Sequence, residues 1–339
     1  MERSRPEQPW NPVENLPPRE QAVERVVGLG VTPEVEGRIK QELRDKTFDH
    51  QTRRIGEIEK SAEEVEVIEN VLAGLPDFIS RYGGRPLPLT QEHFHSILTK
   101  DLPDFMRSYV DDFYGEYKDR MQDVRIYSEE KGADIPKTVL FGIMAHEAMH
   151  FNSFQSVQFF GGHTELRRIG MSPVSFRGSV GDAIDEAVTE ELAMRYQHER
   201  LANLSDSDYE REQKLTDDLM PSARLDRPQD EVAAITGSGE ALGDKDTKVY
   251  YFTYREERWR LNALLDDLVK ERPDQFPDRE AAFDMFARAY FTGNLLPLGR
   301  ALGEAYGDKH ALRRLMEGED LTARKLGSKT IRQEPRVPS

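Results

Sequence analysis

Five consecutive residues, His146-Glu147-Ala148-Met149-His150, have the types and spacing to do chemistry. On a helix, residues four apart share a face, so both imidazoles can reach one cation while the glutamate stands beside it, near a bound water. A cation so placed acidifies the water and the carboxylate accepts its proton, which is the chemistry of a zinc hydrolase. A catalytic zinc ordinarily has three protein ligands and an open fourth position, so one ligand must come from elsewhere. It is not the third histidine of HExxHxxGxxH, because the positions that pattern fills with glycine and histidine are Ser153 and Ser156. The chain has no cysteine, which excludes thiolate ligands and disulfides and leaves His, Asp and Glu. The next candidate source is Asp185-Glu186-Ala187-Val188-Thr189-Glu190, where Glu186 and Glu190 sit one helical turn apart. Like charges so placed repel by roughly a few tenths of a kcal/mol, which a nearby cation or histidine reverses.

The elements that must position these groups show in the hydrophobic pattern. Pro136 suits the first turn of a helix that runs through Val139, Leu140, Ile143 and Met144, past His150 to about Phe154. This helix is apolar on nearly all sides, as a buried one is. A surface helix with Glu147 and both histidines in water is the alternative, but Phe141, Ile143, Met144, Met149 and Phe151 surround those three side chains. Burying them unpaired costs several kcal/mol, and a metal is the economical partner. Upstream, Phe94 to Leu98 and Asp123 to Ser128 read as strands, with a helix from Pro103 to Asp112 between them. Downstream, Gly161-Gly162 marks a turn and Ile169 to Ser179 a hairpin or two irregular strands. Asp182 is a plausible N-cap for a helix with the core stripe Ile184, Val188, Leu192 and Tyr196.

Around residues 83–202, which hold these elements, the chain divides by texture. Residues 1–82 are a charged and helical extension in which Ile55, Ile58, Ala62, Val65, Ile68 and Leu72 fall on one helical stripe, with Gly74 and Pro76 as stop signals. Residues 203–248 are polar and broken by Pro221, Pro228, Gly237, Gly239 and Gly243, as an insertion or mobile loop is. Helical texture returns in 249–322, from Tyr250 to Lys270, Asp278 to Tyr290 and Leu295 to Met316. Residues 323–339, with Arg324, Lys325, Lys329, Arg332 and Arg336, read as a basic flexible tail. The expected fold class is α+β: a small twisted sheet plus a site-bearing helix, with a mainly helical C-terminal subdomain. A net charge of -16 argues against nucleic acid as a partner. Met1 to Asn15 carries charges and prolines where a signal peptide has an apolar run, and nowhere do eighteen apolar residues follow one another. A cytoplasmic protein without a membrane partner is expected.

A buried helix with HExxH, followed after a hairpin by a helix carrying E-x-x-x-E, resembles the gluzincin metallopeptidases, the group that includes thermolysin-like enzymes. The similarity covers about Leu87 to Arg200 and extends weakly over Tyr250 to Met316. It implies a zincin-like core, one Zn²⁺ per chain, and a protein or peptide substrate. It makes His146 and His150 ligands, Glu147 the general base, Glu186 the third ligand and Glu190 the partner that orients a ligand histidine. The strand Asp123 to Ser128 resembles the edge strand on which such enzymes lay an extended substrate. These enzymes also bind the developing oxyanion with a downstream histidine or tyrosine, and no motif identifies it here. Tyr254, at a helix start after the polar segment, is the first choice, with Tyr251 and His163 as alternatives; an aromatic that merely packs the helix is the plainer reading of either tyrosine.

Two other parsings compete. Glu92-x-x-His95 and Glu147-x-x-His150 are both E-x-x-H, the signature of a di-iron carboxylate bundle, although Pro86 and Pro88 weaken a helix through Glu92 and His146 is left without a task. A catalytically inert binding module, using the stripe from Ile55 to Leu72, is the other. His93 and His95 read as surface or core histidines, and His50, His198 and His310 have no partner pattern.

Overall fold

The computed structural model describes residues 23–27, 31–46, 55–107, 115–118, 123–128, 135–160, 163–175, 178–179, 181–204, 207–220, 232–236 and 248–322. In chain order these form β1 (Val23–Val27), α1 (Pro33–Lys46), β2 (Glu57–Ile58), α2 (Ala62–Arg81), β3 (Phe94–Leu98), α3 (Asp104–Arg107), β4 (Gly115–Lys118) and β5 (Asp123–Ser128). Then follow α4 (Lys137–Asn152), β6 (Gln155–Phe160), β7 (His163–Ile169), β8 (Ser172–Ser175), β9 (Gly178–Ser179) and α5 (Asp182–Leu201). The rest is α6 (Ser207–Leu219), β10 (Val232–Thr236), β11 (Lys248–Tyr251), α7 (Arg255–Glu271), α8 (Arg279–Thr292), α9 (Leu296–Tyr306) and α10 (Ala311–Met316). The architecture is α+β, with more helix than strand. Among the described residues, no helix is long and apolar enough to cross a membrane. The turn at Gly161-Gly162, His50 and the basic tail 323–339 lie outside the described residues.

The sheets are small and mixed. One has the order β2-β3-β5-β4, with β3 and β5 parallel and both outer strands antiparallel. A second has the order β1-β6-β7-β8-β9, and among the described residues β10 and β11 form a third of two strands. Alternation along β5 sends Val124 and Ile126 into the main core, while Tyr127 packs with Ile97 and Leu102 in a smaller cluster on the opposite face. Helix α4 lies in the main core through Phe141, Met144, Ala145, Ala148, Met149 and Phe151, which explains its all-round apolar sequence. The same core takes Val67, Val71, Phe78 and Ile79 from α2, and Leu261, Leu265, Phe283 and Phe286 from α7 and α8.

Several expectations are corrected here. Asp123–Ser128 is an interior strand, and the edge beside it is β4. Ile55 and Ile58 lie in a turn and in β2, before α2 begins behind its Ser61–Glu64 capping box. Gly74 and Pro76 do not stop α2; it continues to Arg81 because Leu75, Phe78 and Ile79 are buried beyond them. Burial of that face outweighs the one backbone hydrogen bond a proline removes. Gly181, with φ 93°, is the N-cap of α5, and Asp182 is its first residue. The polar segment 203–248 is not merely a loop: it contains α6, β10 and the start of β11, with a small core of Leu219, Val232 and Ile235. The helix expected from Tyr250 begins at Arg255, since Tyr250 and Tyr251 belong to β11.

Candidate metal centre

Helix α4 receives its N-terminal cap from a distant element. Its N-cap residue Pro136 offers no side-chain bond, and Glu212 of α6 accepts from the backbone N–H groups of Lys137 and Thr138, both at 2.9 Å, and from the Thr138 hydroxyl at 2.5 Å. Strand β4 closes on the other side, where Gly115 comes so near α4 that a Cβ there would stand 2.6 Å from Ile143 Cγ2 and 3.0 Å from Glu147 Oε1. Only glycine permits that approach. Helix α5 crosses behind α4 and turns Glu186 and Glu190 toward it.

Three atoms then meet. His146 Nε2 and His150 Nε2 are 3.2 Å apart, and Glu186 Oε2 is 3.3 Å from the first and 3.2 Å from the second. Ligands about 2.0–2.1 Å from a tetrahedral zinc stand about 3.3 Å from one another, so the triangle has the size that a metal requires. His146 Nδ1 donates to Glu190 Oε2 at 2.7 Å, which leaves Nε2 of a neutral ring as a lone pair aimed at the other two atoms. Among the described residues this is the one group of three or more His, Cys, Asp or Glu with metal-ligand spacing.

The charges around the triangle favour a cation. Burial works against protonation of His146 and His150, yet both are held above the ordinary histidine range, His146 by Glu186 and Glu190, and His150 by Glu186. Burial likewise opposes ionisation of Glu186, but the two imidazoles hold its carboxyl well below the usual range. Burial raises Glu147, with the histidines pulling it back and Glu186 and Glu116 pushing it further up. Asp185, also buried, is pushed up to about 7 although His150 and a 2.6 Å bond from Met171 N–H favour its charged form.

Tyr254 is brought to the site. Its ring stacks on His146 with centroids 5.4 Å apart and planes 10° off parallel. Burial first, then the charges of Glu186 and Glu147, keeps its hydroxyl protonated and therefore a donor. Tyr251 lines the adjoining cleft, and His163 opens β7 with its side chain outside the described residues. The cleft, of about 110 Å³, lies between Gly115 of β4, the α4 residues Val139, Ile143 and Glu147, Met194 of α5, and Phe252 after β11.

Sequence reasoning missed three groups. Thr253 donates its backbone N–H to Glu190 Oε1 at 3.1 Å. Tyr290 of α8 places its hydroxyl 3.4 Å from His150 Nδ1 and 3.0 Å from Thr189 Oγ1, and Asp185 Oδ2 lies 3.9 Å from the same ring nitrogen. Asp185 adjoins Glu186 in sequence, which is a signal; Tyr290 leaves none before the packing is known. The second E-x-x-H does not reach the centre. Glu92 lies in a 3-10 turn and His95 in β3, where its Nδ1 is 2.6 Å from Glu57 Oε1. Burial opposes the His95 charge, but Asp123 and Glu57 hold it above the ordinary histidine value. His93 is buried and His198 and His310 are exposed. Compared with protein-family models, curated proteins and solved structures, the chain matches none.

Proposed function

We propose that the chain is a zinc-dependent metallopeptidase with a zincin-like core and an active site at the His146-His150-Glu186 triangle. The observation that carries this reading is the mutual 3.2–3.3 Å spacing of three donor atoms from two helices, with Glu147 beside them on the cleft wall. When bound, zinc supplies Lewis acidity, which polarises a carbonyl and brings the pKa of water toward neutrality. Glu147, raised by burial, takes a proton from the attacking water and returns it to the leaving amine. The protonated Tyr254 hydroxyl donates to the oxygen on which negative charge develops. Edge strand β4 offers backbone groups to an extended peptide, with Gly115 next to Glu147. A cysteine-free composition suits a cytoplasmic home.

The test joins metal content to turnover on a peptide library. Glu147→Gln is expected to keep one zinc per chain and lose turnover by about a hundredfold or more, the scale of general-base catalysis. His146→Ala is expected to lose the metal itself, and the wild-type activity to vanish with a chelator and return with zinc. Undiminished hydrolysis by Glu147→Gln contradicts the reading.

A further inference from the structure

Tyr254 is the one non-glycine residue with positive φ among the described residues, at φ 51° and ψ 40°. That conformation is strained for a residue of this kind and persists only where the surroundings impose it. Nothing local does so: Tyr254 is the N-cap of α7 without a side-chain cap bond, and it is not one of the small residues that visit this region readily. The contacts around it lead to the candidate metal centre. Glu190 divides its two oxygens, Oε2 accepting from His146 Nδ1 at 2.7 Å and Oε1 from the N–H of Thr253 at 3.1 Å. The next residue in the chain is Tyr254, whose ring is stacked on that of His146.

We infer that Glu190 is a positioning residue for Tyr254 as well as for His146: by tethering the Thr253 amide it fixes the left-handed turn that sets the Tyr254 hydroxyl beside the ligand triangle. One carboxylate thus orients a ligand from one side and the hydroxyl donor from the other. A carboxylate suits this because it accepts on both oxygens. A glutamine at 190 has one acceptor oxygen and must drop one of the two contacts.

Two arms test it, and only the second rests on the metallopeptidase reading. The first is hydrogen exchange at the Thr253 amide in the metal-free chain. In Glu190→Ala exchange there is expected to quicken at least about tenfold, with the interior amides of α5 still protected, and Glu190→Leu, which also lacks an acceptor, serves should the alanine variant fail to fold. Unchanged exchange in the folded variant overturns the tether. The second arm compares Thr253→Pro, which removes the N–H and also fixes φ at 253, with Tyr254→Phe. Each is expected to lower kcat by about tenfold or more, with KM and zinc affinity within about threefold of wild type, and the double variant to be no worse than the poorer single one. Losses that multiply, or a Thr253→Pro chain that binds zinc as poorly as Glu190→Ala, overturn the positioning role. Full turnover in Tyr254→Phe instead removes the tyrosine from the proposed reaction, while the exchange result still decides whether Glu190 holds the turn.

Discussion

The two histidines of the proposed centre are oriented unequally. His146 has a carboxylate 2.7 Å from Nδ1, whereas the nearest partners of His150 Nδ1 are the Tyr290 hydroxyl at 3.4 Å and Asp185 Oδ2 at 3.9 Å. Asp185 is already engaged by Met171 N–H, and its raised pKa lessens its negative charge near neutrality. Removing the partner of His146 should therefore cost more metal affinity than removing that of His150. Glu190→Ala is expected to weaken zinc binding about ten- to a hundredfold, and Tyr290→Phe by less than about threefold, in competition titrations against a chelating dye. Equal losses would show that both rings depend on their partners alike. At this scale the sequence was legible where helix geometry converts spacing into proximity: His146 with His150, and Glu186 with Glu190. Tyr254 was reached because it stands at a helix start. Thr253 was not, since its contribution is a backbone N–H that any non-proline residue would supply.

Each element at the centre depends on another that is distant in sequence. The N-terminus of α4 has no cap of its own and relies on Glu212, whose carboxylate there also opposes the positive end of the helix dipole. Glu212→Ala leaves two N–H groups and one hydroxyl without that acceptor and is expected to destabilise the fold by about 2 kcal/mol. Urea unfolding measures this, and a change below about 0.5 kcal/mol would mean that water replaces the cap without cost. The supplier of this cap, α6, lies in the segment whose prolines and glycines read as an insertion. Its signal was present, in Tyr209, Thr216 and Leu219, all buried and spaced by seven and three residues so that they share one helical face, but it was diluted by the acidic outer face. The interior place of β5 had no local signal at all, because strand order is set by pairing between distant segments. The run of α2 through Pro76 was misread for the opposite reason: proline is a strong local signal, and here the burial of Leu75, Phe78 and Ile79 overrides it.

For the whole molecule, the question is how far the fold depends on the cation. Its proposed ligands come from α4 and α5, and those helices already share one core with α2, α7 and α8. That core is continuous and apolar, so the metal-free chain is expected to stay folded, unlike small zinc domains whose binding energy is their folding energy. The centre itself is less well balanced without metal. Glu147, Asp185 and Glu190 are buried and Glu186 half-buried, four carboxyls around two imidazoles. Zinc at a thousand times its dissociation constant adds about 4 kcal/mol to a native state that alone binds it. At about 2 °C per kcal/mol for a chain of this size, the melting temperature should rise by roughly 8 °C. Differential scanning calorimetry with zinc and with a chelator measures the shift, and His146→Ala should abolish it while melting as one cooperative unit. A metal-free chain that is already unfolded would place the metal within the folding core, and a melting temperature indifferent to zinc would leave the triangle without a ligand.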